Sequence, residues 1–584
     1  MDKKIINLLK SYSTDTISVD RILISAFVRI NNIKVEKNLL VSSTLIRDND
    51  TEEIAFLDEF IKKIKINSSS FTFESLIELF EHVVSPQDRI ISGAVYTPKH
   101  IRSFLINKAF QKKTNVGFSN LKVADIACGC GGFLLDAAIY LKKKTKKSYK
   151  YIFAKQIYGL DIQAYSTKRT KLILSLLALS EGEDYDSFSF NIFDGDALTF
   201  DWTNILNNNL FDIVLGNPPY VCCRNLDEKT KQAIKKWEVA SIGNPDLYIP
   251  FFQIAMELMK EDGILGFITM NTFFKSLNAR ALRGYFSKRE SSLDILDFGS
   301  EQVFKNKNTY TCLCLISNKK RSFVRYKLIT QNDLKQKISH MDKIPYKNLN
   351  AVLGWNLKSN EFATIMETNG ISFGEKFKTR HGIATLKNDV YIFKPTREDE
   401  IYYYLKSDKE YPIEKSICRD IINANKLSRP VKINDLLEKV IFPYNNEIRP
   451  KIIEERVLKK KFPKAYKYLQ SKKDILAKRD KGNGKYEAWY AFGRTQSLEK
   501  FKIKLLFPKF SDKPPHCILS EDANLLFYNG QAVICESKED AFKAKRILES
   551  NEFWNYIVAT SKPYSANYFS LNGNYINNFS IHPE

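Results

Sequence analysis

The sequence predicts an α/β, Rossmann-like fold for the central part of the chain, with an α-helical N-terminal extension and a mixed α+β C-terminal region. Short β-rich runs alternate with helical periodicity between residues 121 and 317, and a glycine-rich loop separates the first run from the first helix. The helical extension is predicted because apolar residues recur at helical spacing over residues 1–85.

The β-rich runs follow one another at the spacing expected of strands joined by covering helices. Helices are predicted at residues 164–179 and 248–260, where apolar side chains recur every three or four residues. Because such connections join parallel strands, we expect a sheet of parallel strands. The alternation ends after residues 310–317, so we place a boundary near residue 325. The expected strands are 123–127, 157–161, 188–193, 211–215, 264–269 and 293–298, and the expected domains are 1–85, 86–325 and 326–584.

The composition supports this division and excludes several classes of protein. A chain of 584 residues with 44% hydrophobic residues is long enough for two or three domains with their own cores. The 23 Gly and 18 Pro exclude collagen-like and low-complexity classes. Nine Cys without C-x-x-C pairs indicate a reduced, cytoplasmic protein without a metal site. No apolar run approaches the ~20 residues that cross a bilayer, so no membrane association is expected.

The excess of positive charge is concentrated in one segment. The chain has 90 Lys and Arg against 67 Asp and Glu, and residues 451–510 alone hold 18 basic and 6 acidic residues. Basic side chains bind phosphates and aromatic rings stack on displaced bases, so this mixture suits nucleic acid; a solvated helical face explains it equally well. The candidate phosphate contacts are Lys459, Lys460, Lys461 and Lys464, and the interleaved rings are Phe462, Tyr466, Tyr468, Tyr486, Trp489, Tyr490 and Phe492.

The glycine-rich loop D-I-A-C-G-C-G-G-F begins at Asp125 and follows the first expected strand. Gly129 and Gly131 let the backbone turn tightly and approach a ligand at the N-terminus of the next helix. A dinucleotide-binding loop would have another glycine at position 134, where this sequence has Leu134. The loop therefore predicts a nucleotide site other than an NAD site.

Carboxylates stand at the ends of the next two expected strands. Asp161 ends the second strand, where it can accept hydrogen bonds from two ribose hydroxyls, and Asp196 follows the third, where it can accept one from an adenine amino group. Taken singly, each is more often a loop or helix-capping residue than a ligand contact. In series, one βα unit apart, they predict an adenosine pocket.

The tetrapeptide Asn217-Pro218-Pro219-Tyr220 follows the fourth expected strand directly. Two prolines remove two amide donors and stiffen the chain, so the Asn side chain projects rigidly from the carboxyl edge of the sheet. The Asn217 side-chain oxygen and the Pro218 carbonyl can accept both hydrogens of an exocyclic amine and turn its lone pair toward an electrophilic methyl group. No strong base is needed, because the nitrogen becomes acidic once it carries the methyl group. The structural alternative is a Pro-Pro turn that ends a buried strand.

These motifs together resemble the prokaryotic Taq-type N6-adenine DNA methyltransferases in the gamma arrangement. The resemblance covers roughly residues 90–584 and includes Gly93-Ala-Val-Tyr-Thr97-Pro98, whose Thr contacts the methionine part of the cofactor in that family. It implies a class I S-adenosylmethionine-dependent methyltransferase domain at 86–325 and a DNA target-recognition domain at 326–584. Residues 1–85 lie outside the match, and Ala197 stands where the family often has Phe.

The resemblance also implies roles for individual residues. Asn217, Pro218, Pro219 and Tyr220 would form the catalytic motif, and Phe304 would hold the displaced base against Tyr220. The expected S-adenosylmethionine-binding residues are Tyr96, Thr97, Asp125, Ala127, Gly129, Gly131, Asp161, Ile162, Asp196, Ala197, Asn217 and Phe251.

The sequence is therefore interpreted as a site-specific adenine methyltransferase that acts on double-stranded DNA and releases S-adenosylhomocysteine. We expect a cytoplasmic monomer, associated with the nucleoid through DNA, that protects host DNA from a separately encoded restriction endonuclease without an obligate complex. Three alternatives stay open: methylation of cytosine N4, methylation of a protein glutamine amide, and a non-catalytic DNA-specificity subunit. Cytosine enzymes more usually have Ser first in the tetrapeptide, and a protein-tail substrate has no need of a large basic second domain.

Overall fold

In the computed structural model the chain divides into two units, Met1–Ser359 and Asn360–Glu584. The described residues are 3–13, 15–47, 49–67, 70–82, 96–113, 117–207, 209–304, 309–336, 338, 340–352, 354–357, 361–368, 370–429, 431–482, 484–495, 497–561 and 568–581. Residues 93–95 of the first family-like motif, and the expected boundary at 85/86, lie outside them. No helix in these ranges is both long and apolar enough to cross a lipid bilayer.

The first unit is built around a mixed sheet, which has nine strands within the described residues. The strands are β1 Val123–Asp125, β2 Ile157–Asp161, β3 Asn191–Asp194, β4 Phe211–Gly216, β5 Met259–Met270, β6 Ser291–Asp297, β7 Thr311–Lys320, β8 Phe323–Leu328 and β9 Asp342–Pro345. Their order is β3-β2-β1-β4-β5-β7-β6-β8-β9. The predicted α/β fold with a central sheet is confirmed.

The expectation of parallel strands holds from β3 to β5, whereas the rest of the sheet is mixed, with β6 and β8 parallel and the other pairs antiparallel. β1, β2, β3, β4 and β5 pair in parallel, whereas β7 pairs antiparallel with both β5 and β6. No described helix lies between β6 and β7, and two strands without a crossover connection pair antiparallel.

Helices cover both faces of this sheet, which is why the strands are apolar on both sides. Along β4, Ile213 and Leu215 belong to the core on one face and Val214 to the core on the other. The helices are α1 Lys3–Tyr12, α2 Thr16–Ile30, α3 Leu39–Ser42, α4 Thr51–Asn67, α5 Phe73–His82, α6 Lys99–Gln111, α7 Gly132–Thr145, α8 Tyr149–Lys155, α9 Ala164–Ser180, α10 Thr203–Leu206, α11 Glu228–Lys235, α12 Tyr248–Glu257 and α13 Arg280–Arg289.

The N-terminal helices are part of the first unit rather than a separate preface. Buried residues of α1, α2, α4 and α5 share one hydrophobic core with α6, α7 and α9. The buried Arg169 on α9 also donates to Asp20 on α2 at 2.8 Å, and burial raises the pKa of that carboxyl to about 6.

The boundary expected at residue 325 needs correction. Residue 325 lies inside β8, which pairs in parallel with β6 and antiparallel with β9. A cut there would remove two strands from the sheet, so the first unit extends to Ser359. Among the described residues no α-helix lies between β7 and Ser359, so the alternation of strand and helix ends before the sheet does.

The second unit is a mixed α+β structure with several small sheets. The strands are β10 Ile371–Ser372, β11 Lys378–His381, β12 Ile392–Phe393, β13 Tyr402–Lys406, β14 Glu410–Glu414, β15 Cys418–Asn423, β16 Leu437–Ile441, β17 Ile503–Pro508, β18 Phe510–Ser511, β19 Ile518–Ser520, β20 Leu526–Tyr528, β21 Gly530–Cys535, β22 Phe569–Ser570 and β23 Ser580–Ile581. The two larger sheets, each of four strands among the described residues, have the orders β11-β21-β17-β19 and β12-β16-β15-β20. The helices are α14 Glu361–Thr368, α15 Phe373–Lys376, α16 Asn388–Tyr391, α17 Glu455–Lys461, α18 Pro463–Ser471, α19 Lys473–Ala477, α20 Lys538–Leu548, α21 Asn551–Thr560 and α22 Gly573–Ile576.

Candidate active site

A cavity of about 450 Å³ lies in the first unit at the carboxyl ends of β1, β2 and β4 and at the loop after β3. The strand order reverses at β1, which lies between β2 and β4, so the cavity occupies the topological switch point of the sheet. Open α/β sheets bind ligands at this position, because the two neighbouring connections leave in opposite directions and open a crevice.

The glycine loop after β1 forms one wall of the cavity. Gly129 and Gly131 have φ angles of +53° and +81°, a region that favours glycine. Gly129 lines the cavity, whereas Gly131 lies behind it, where an added Cβ would be 2.8 Å from Thr170. Gly131 therefore permits the close packing of the loop on α9 and does not itself line the cavity.

The predicted carboxylates line the same cavity. Asp161 accepts backbone hydrogen bonds from Gly129 and Gln163, both at 2.9 Å, so it fixes the glycine loop as well as facing the cavity. Burial, which disfavours the charged form, raises the pKa of Asp161 to about 6 and that of Asp125 to about 8. Asp196 is partly exposed and accepts the Leu198 N–H at 3.0 Å.

Asn217 follows β4 directly and lines the cavity beside these carboxylates. Its Nδ2 donates to Thr97 Oγ1 at 3.0 Å, a contact that orients the amide. β1 and β4 approach closely here, since a Cβ at Gly216 would lie 2.8 Å from Asp125 Oδ1. Past the strand, Pro218 is buried and Pro219 lines the cavity.

Tyr220 and Phe304 are brought together, as expected, although they are far apart in sequence. Their ring centroids are 6.2 Å apart with an interplanar angle of 56°. The Tyr220 hydroxyl donates to the Ile268 carbonyl at 3.2 Å, and burial raises its pKa well above the usual value. Tyr248, which the sequence did not single out, packs edge-on against Tyr220 at 6.4 Å.

A buried ion network holds Thr97 in place. Arg102 donates to the Thr97 carbonyl at 2.6 Å, to Glu74 Oε2 at 2.6 Å and to Asp136 Oδ2 at 2.9 Å. Tyr96 also donates to Glu74, and burial together with that carboxylate raises the Tyr96 pKa. Glu74 lies on α5, so an N-terminal helix supports the site.

The other predicted cofactor residues also line the cavity: Tyr96, Thr97, Ala127, Ile162, Ala197 and Phe251. Sequence reasoning missed Ile77, Glu81, Arg102, Gln163, Leu226 and Thr230, which line it too. Ile77 and Glu81 are four residues apart on α5, a spacing that puts them on one helix face. Nothing in their local sequence indicates a site, because only tertiary packing brings α5 to the sheet edge.

The basic segment of the second unit forms α17 to α19 and the turns that follow. Lys459, Lys460, Lys461 and Lys464 are exposed, and within the described residues their side chains form no salt bridge. The stacking interpretation is wrong for Tyr468, Tyr490 and Phe492, because these rings are buried in a hydrophobic core of this unit. Tyr466 and Trp489 both donate to Glu455 at 2.9 Å.

Comparison with known proteins identifies the family to which the central part of the chain is similar. Residues 155–304 match the model of the Eco57I restriction-modification methylase family. The matched Eco57I-type segment includes Asp161, Asp196, Asn217 and Phe304. The predicted resemblance to restriction-modification methyltransferases is confirmed.

Among curated relatives, the chain is 27% identical over 493 residues to the type II restriction enzyme and methyltransferase RM.Eco57I of Escherichia coli. This alignment covers 71% of the chain and 49% of that protein, so the chain matches about half of its length. It is 24% identical over 437 residues to the type II methyltransferase M.BstVI of Geobacillus stearothermophilus, covering 68% of the chain and 73% of that protein.

A similar fold occurs in a solved structure of the type IIL restriction-modification enzyme MmeI in complex with DNA. The TM-score is 0.66 at 14% identity, with 98% of this chain and 86% of that chain covered. This likeness shows the fold alone.

Proposed function

We propose that this chain is a sequence-specific DNA methyltransferase that transfers a methyl group from S-adenosylmethionine to N6 of an adenine flipped out of duplex DNA. One observation carries the proposal: Asn217, the acceptor that follows β4, lines the same cavity as Asp125, Asp161 and Asp196. A nucleotide pocket and an amine-binding side chain thus share one crevice at the switch point.

The cavity residues fit S-adenosylmethionine, which supplies an electrophilic methyl group on a positively charged sulfur. Asp161 would hold the ribose hydroxyls and Asp196 the adenine amino group, with Ile162 and Phe251 as apolar walls. Acidic side chains dominate the charged lining, and Arg102 is paired with Glu74 and Asp136. A cationic ligand suits such a lining better than a phosphate-bearing one.

Asn217 and the Pro218 carbonyl would accept the two hydrogens of the adenine amine. This arrangement stabilises a pyramidal nitrogen whose lone pair points at the methyl group, an interaction that strengthens toward the transition state. Thr97 restricts rotation of the Asn217 amide, so less ordering is needed when the substrate binds.

Tyr220 and Phe304 would hold the displaced adenine by stacking. Extrusion of a base costs a few kcal/mol of unstacking, which aromatic contacts in the pocket and phosphate contacts elsewhere must offset. The exposed Lys459, Lys460, Lys461 and Lys464 of the second unit are suited to the phosphate contacts.

Within a cell we propose that the chain, as a cytoplasmic monomer, modifies host DNA and so protects it from a separately encoded restriction endonuclease. The Eco57I-type match and the restriction-modification relatives support this role. A non-catalytic specificity subunit is disfavoured, since such a subunit has no need of Asn217 beside an intact nucleotide pocket. Asn217 in place of Ser favours adenine over cytosine.

The test is methylation of defined DNA by the purified chain with S-adenosylmethionine that carries an isotopic methyl group. After digestion to nucleosides, mass spectrometry should find the label in N6-methyladenine, and single-molecule sequencing of the same DNA should give the recognition sequence. Label in N4-methylcytosine or on protein would replace the proposal by one of its alternatives. Binding of S-adenosylmethionine without transfer to any acceptor would leave the specificity-subunit function.

A further inference from the structure

Helix α5, which precedes the glycine loop in sequence, contributes a carboxylate to the cavity. Leu76, Leu79 and Phe80 are buried in the core of the first unit, which fixes the helix in place. Ile77 and Glu81 lie on the face that lines the cavity. The carboxylate therefore sits on a rigid element rather than on a loop.

Glu81 is adjacent to the glycine loop. Its Oε1 accepts the Cys130 N–H at 3.3 Å and lies 3.0 Å from the position that a Cβ of Gly129 would occupy. The glycine at 129 thus leaves room for this carboxylate at the wall of the cavity. Arg169 pairs with Asp20 and also interacts electrostatically with Glu81, whereas Arg102 pairs with Glu74 and Asp136.

The proposed cofactor has two parts that favour a carboxylate, the nucleoside and the ammonium of its amino-acid end, and Asp161 and Asp196 are the carboxylates assigned to the nucleoside. Asp161 ends β2 and accepts the Gly129 N–H, and Asp196 lies in the loop after β3. Glu81 comes from α5 instead and accepts the N–H of the next residue of the glycine loop, Cys130. The amino-acid end of S-adenosylmethionine carries a primary ammonium with three N–H donors. A carboxylate is the strongest acceptor for such a donor.

We propose that Glu81 binds the ammonium group of the amino-acid end of S-adenosylmethionine, so that the N-terminal helices form part of the cofactor site. This assignment rests on the proposed function. It also gives residues 1–85 a direct role: α5 is held against the sheet by the core it shares with α6 and α7, and it contributes Glu81 to the pocket. S-adenosylhomocysteine would keep this contact with Glu81, because it retains the ammonium and lacks only the transferred methyl group and the sulfonium charge.

The test is a binding cycle with two ligands and two proteins. Isothermal titration calorimetry compares S-adenosylhomocysteine with its desamino analogue, in wild type and in Glu81→Gln. Removal of the ammonium should weaken binding to wild type by about ten-fold or more and binding to Glu81→Gln by about two-fold or less. Glu78→Gln, on the same helix outside the cavity lining, is the matched control and should behave as wild type.

Each outcome of the cycle decides the assignment. If loss of the ammonium weakens binding equally in wild type and Glu81→Gln, the assignment is overturned. If Glu81→Gln also binds both ligands more weakly by the same factor, Glu81 only supports the Cys130 backbone. If Glu81→Gln fails to fold, Glu81→Asp takes its place and must show a smaller ammonium effect than wild type. Absence of binding of either ligand to wild type would instead overturn the proposed function.

Discussion

The two halves of the carboxyl edge of the sheet differ in chemistry although they share one cavity. The half formed by β1, β2 and the loop after β3 presents carboxylates, namely Asp125, Asp161 and Asp196. The half formed by β4 presents the neutral amide of Asn217, two prolines and, just beyond, the Tyr220 ring packed near Phe304. Carboxyl groups are therefore concentrated on one side of the switch point and neutral acceptors on the other, where the exposed Asp227 is the one acidic side chain among the described lining residues.

This difference separates binding from chemistry. Carboxylates recognise the hydroxyl and cationic groups of a cofactor, whereas a neutral amine nucleophile needs acceptors that leave its lone pair available. Substitutions in the first half should therefore change cofactor affinity, and substitutions in the second half should change base capture or methyl-transfer rate. The predictions below test that division.

The largest expected effect is on stability, at the ion network of Arg102 that supports the carboxylate-bearing half of the sheet edge. Arg102→Met leaves Glu74 and Asp136 without their buried cation and should cost about 3–5 kcal/mol, together with cofactor affinity. Arg29→Met, which removes the exposed pair with Asp58, should cost at most about 1 kcal/mol. Denaturant unfolding of the two variants measures the difference; equal losses would show that the network does not support the site.

The second prediction concerns Asp161 and its raised pKa. Ribose hydroxyls donate to the ionised carboxylate, so binding must displace a proton below pH about 6, and affinity should fall by up to about ten-fold per pH unit there. Asp161→Asn should weaken binding by about 1.5–3 kcal/mol at pH 7.5 and flatten the pH dependence. Calorimetry at several pH values checks both. The control is Asp58→Asn, which removes an exposed carboxylate outside the cavity lining and should retain the wild-type profile.

The third prediction turns to the other half of the edge. Tyr220→Ala removes a stacking surface worth about 1–3 kcal/mol and should reduce both capture of the flipped adenine and the transfer rate. Tyr220→Phe keeps the ring and loses only the hydrogen bond to Ile268, so it should be close to wild type. Fluorescence of 2-aminopurine at the target position reports extrusion; an unchanged signal in Tyr220→Ala would remove this residue from the base pocket.

Much of the half formed by β1, β2 and the loop after β3 could be predicted from sequence, because the strand, the glycine turn and the strand-end carboxylate are local patterns. The β2 bounds are those expected, and Asp161 and Asp196 reach one cavity as expected. Glu74, Glu81 and Arg102 could not be predicted, since their partners lie on other elements and nothing in the local sequence of the two helices that carry them indicates a site. The position of β7 between β5 and β6 was likewise missed, because periodicity does not reveal pairing order.

The smallest expected effect lies in the second unit, whose exposed lysines differ most in charge from the acidic cavity. Replacing Lys459, Lys460 and Lys461 by Gln should lower DNA affinity for all sequences and reduce the slope of log affinity against log salt by about 2 to 3. Since these side chains are exposed, stability should change by less than about 0.5 kcal/mol. An unaltered salt slope would indicate that the segment is a solvated surface and makes no phosphate contacts.

The central claim is that β4 carries the chemistry and the neighbouring strands carry the binding, and Asn217→Ala tests it most directly. Cofactor affinity by calorimetry and single-turnover methylation are measured on the same preparation. We predict affinities for cofactor and DNA within about two-fold of wild type and a methylation rate lower by on the order of 10²–10³-fold. A near-normal single-turnover rate would contradict the account, and so would a loss of cofactor affinity large enough to explain the lower rate.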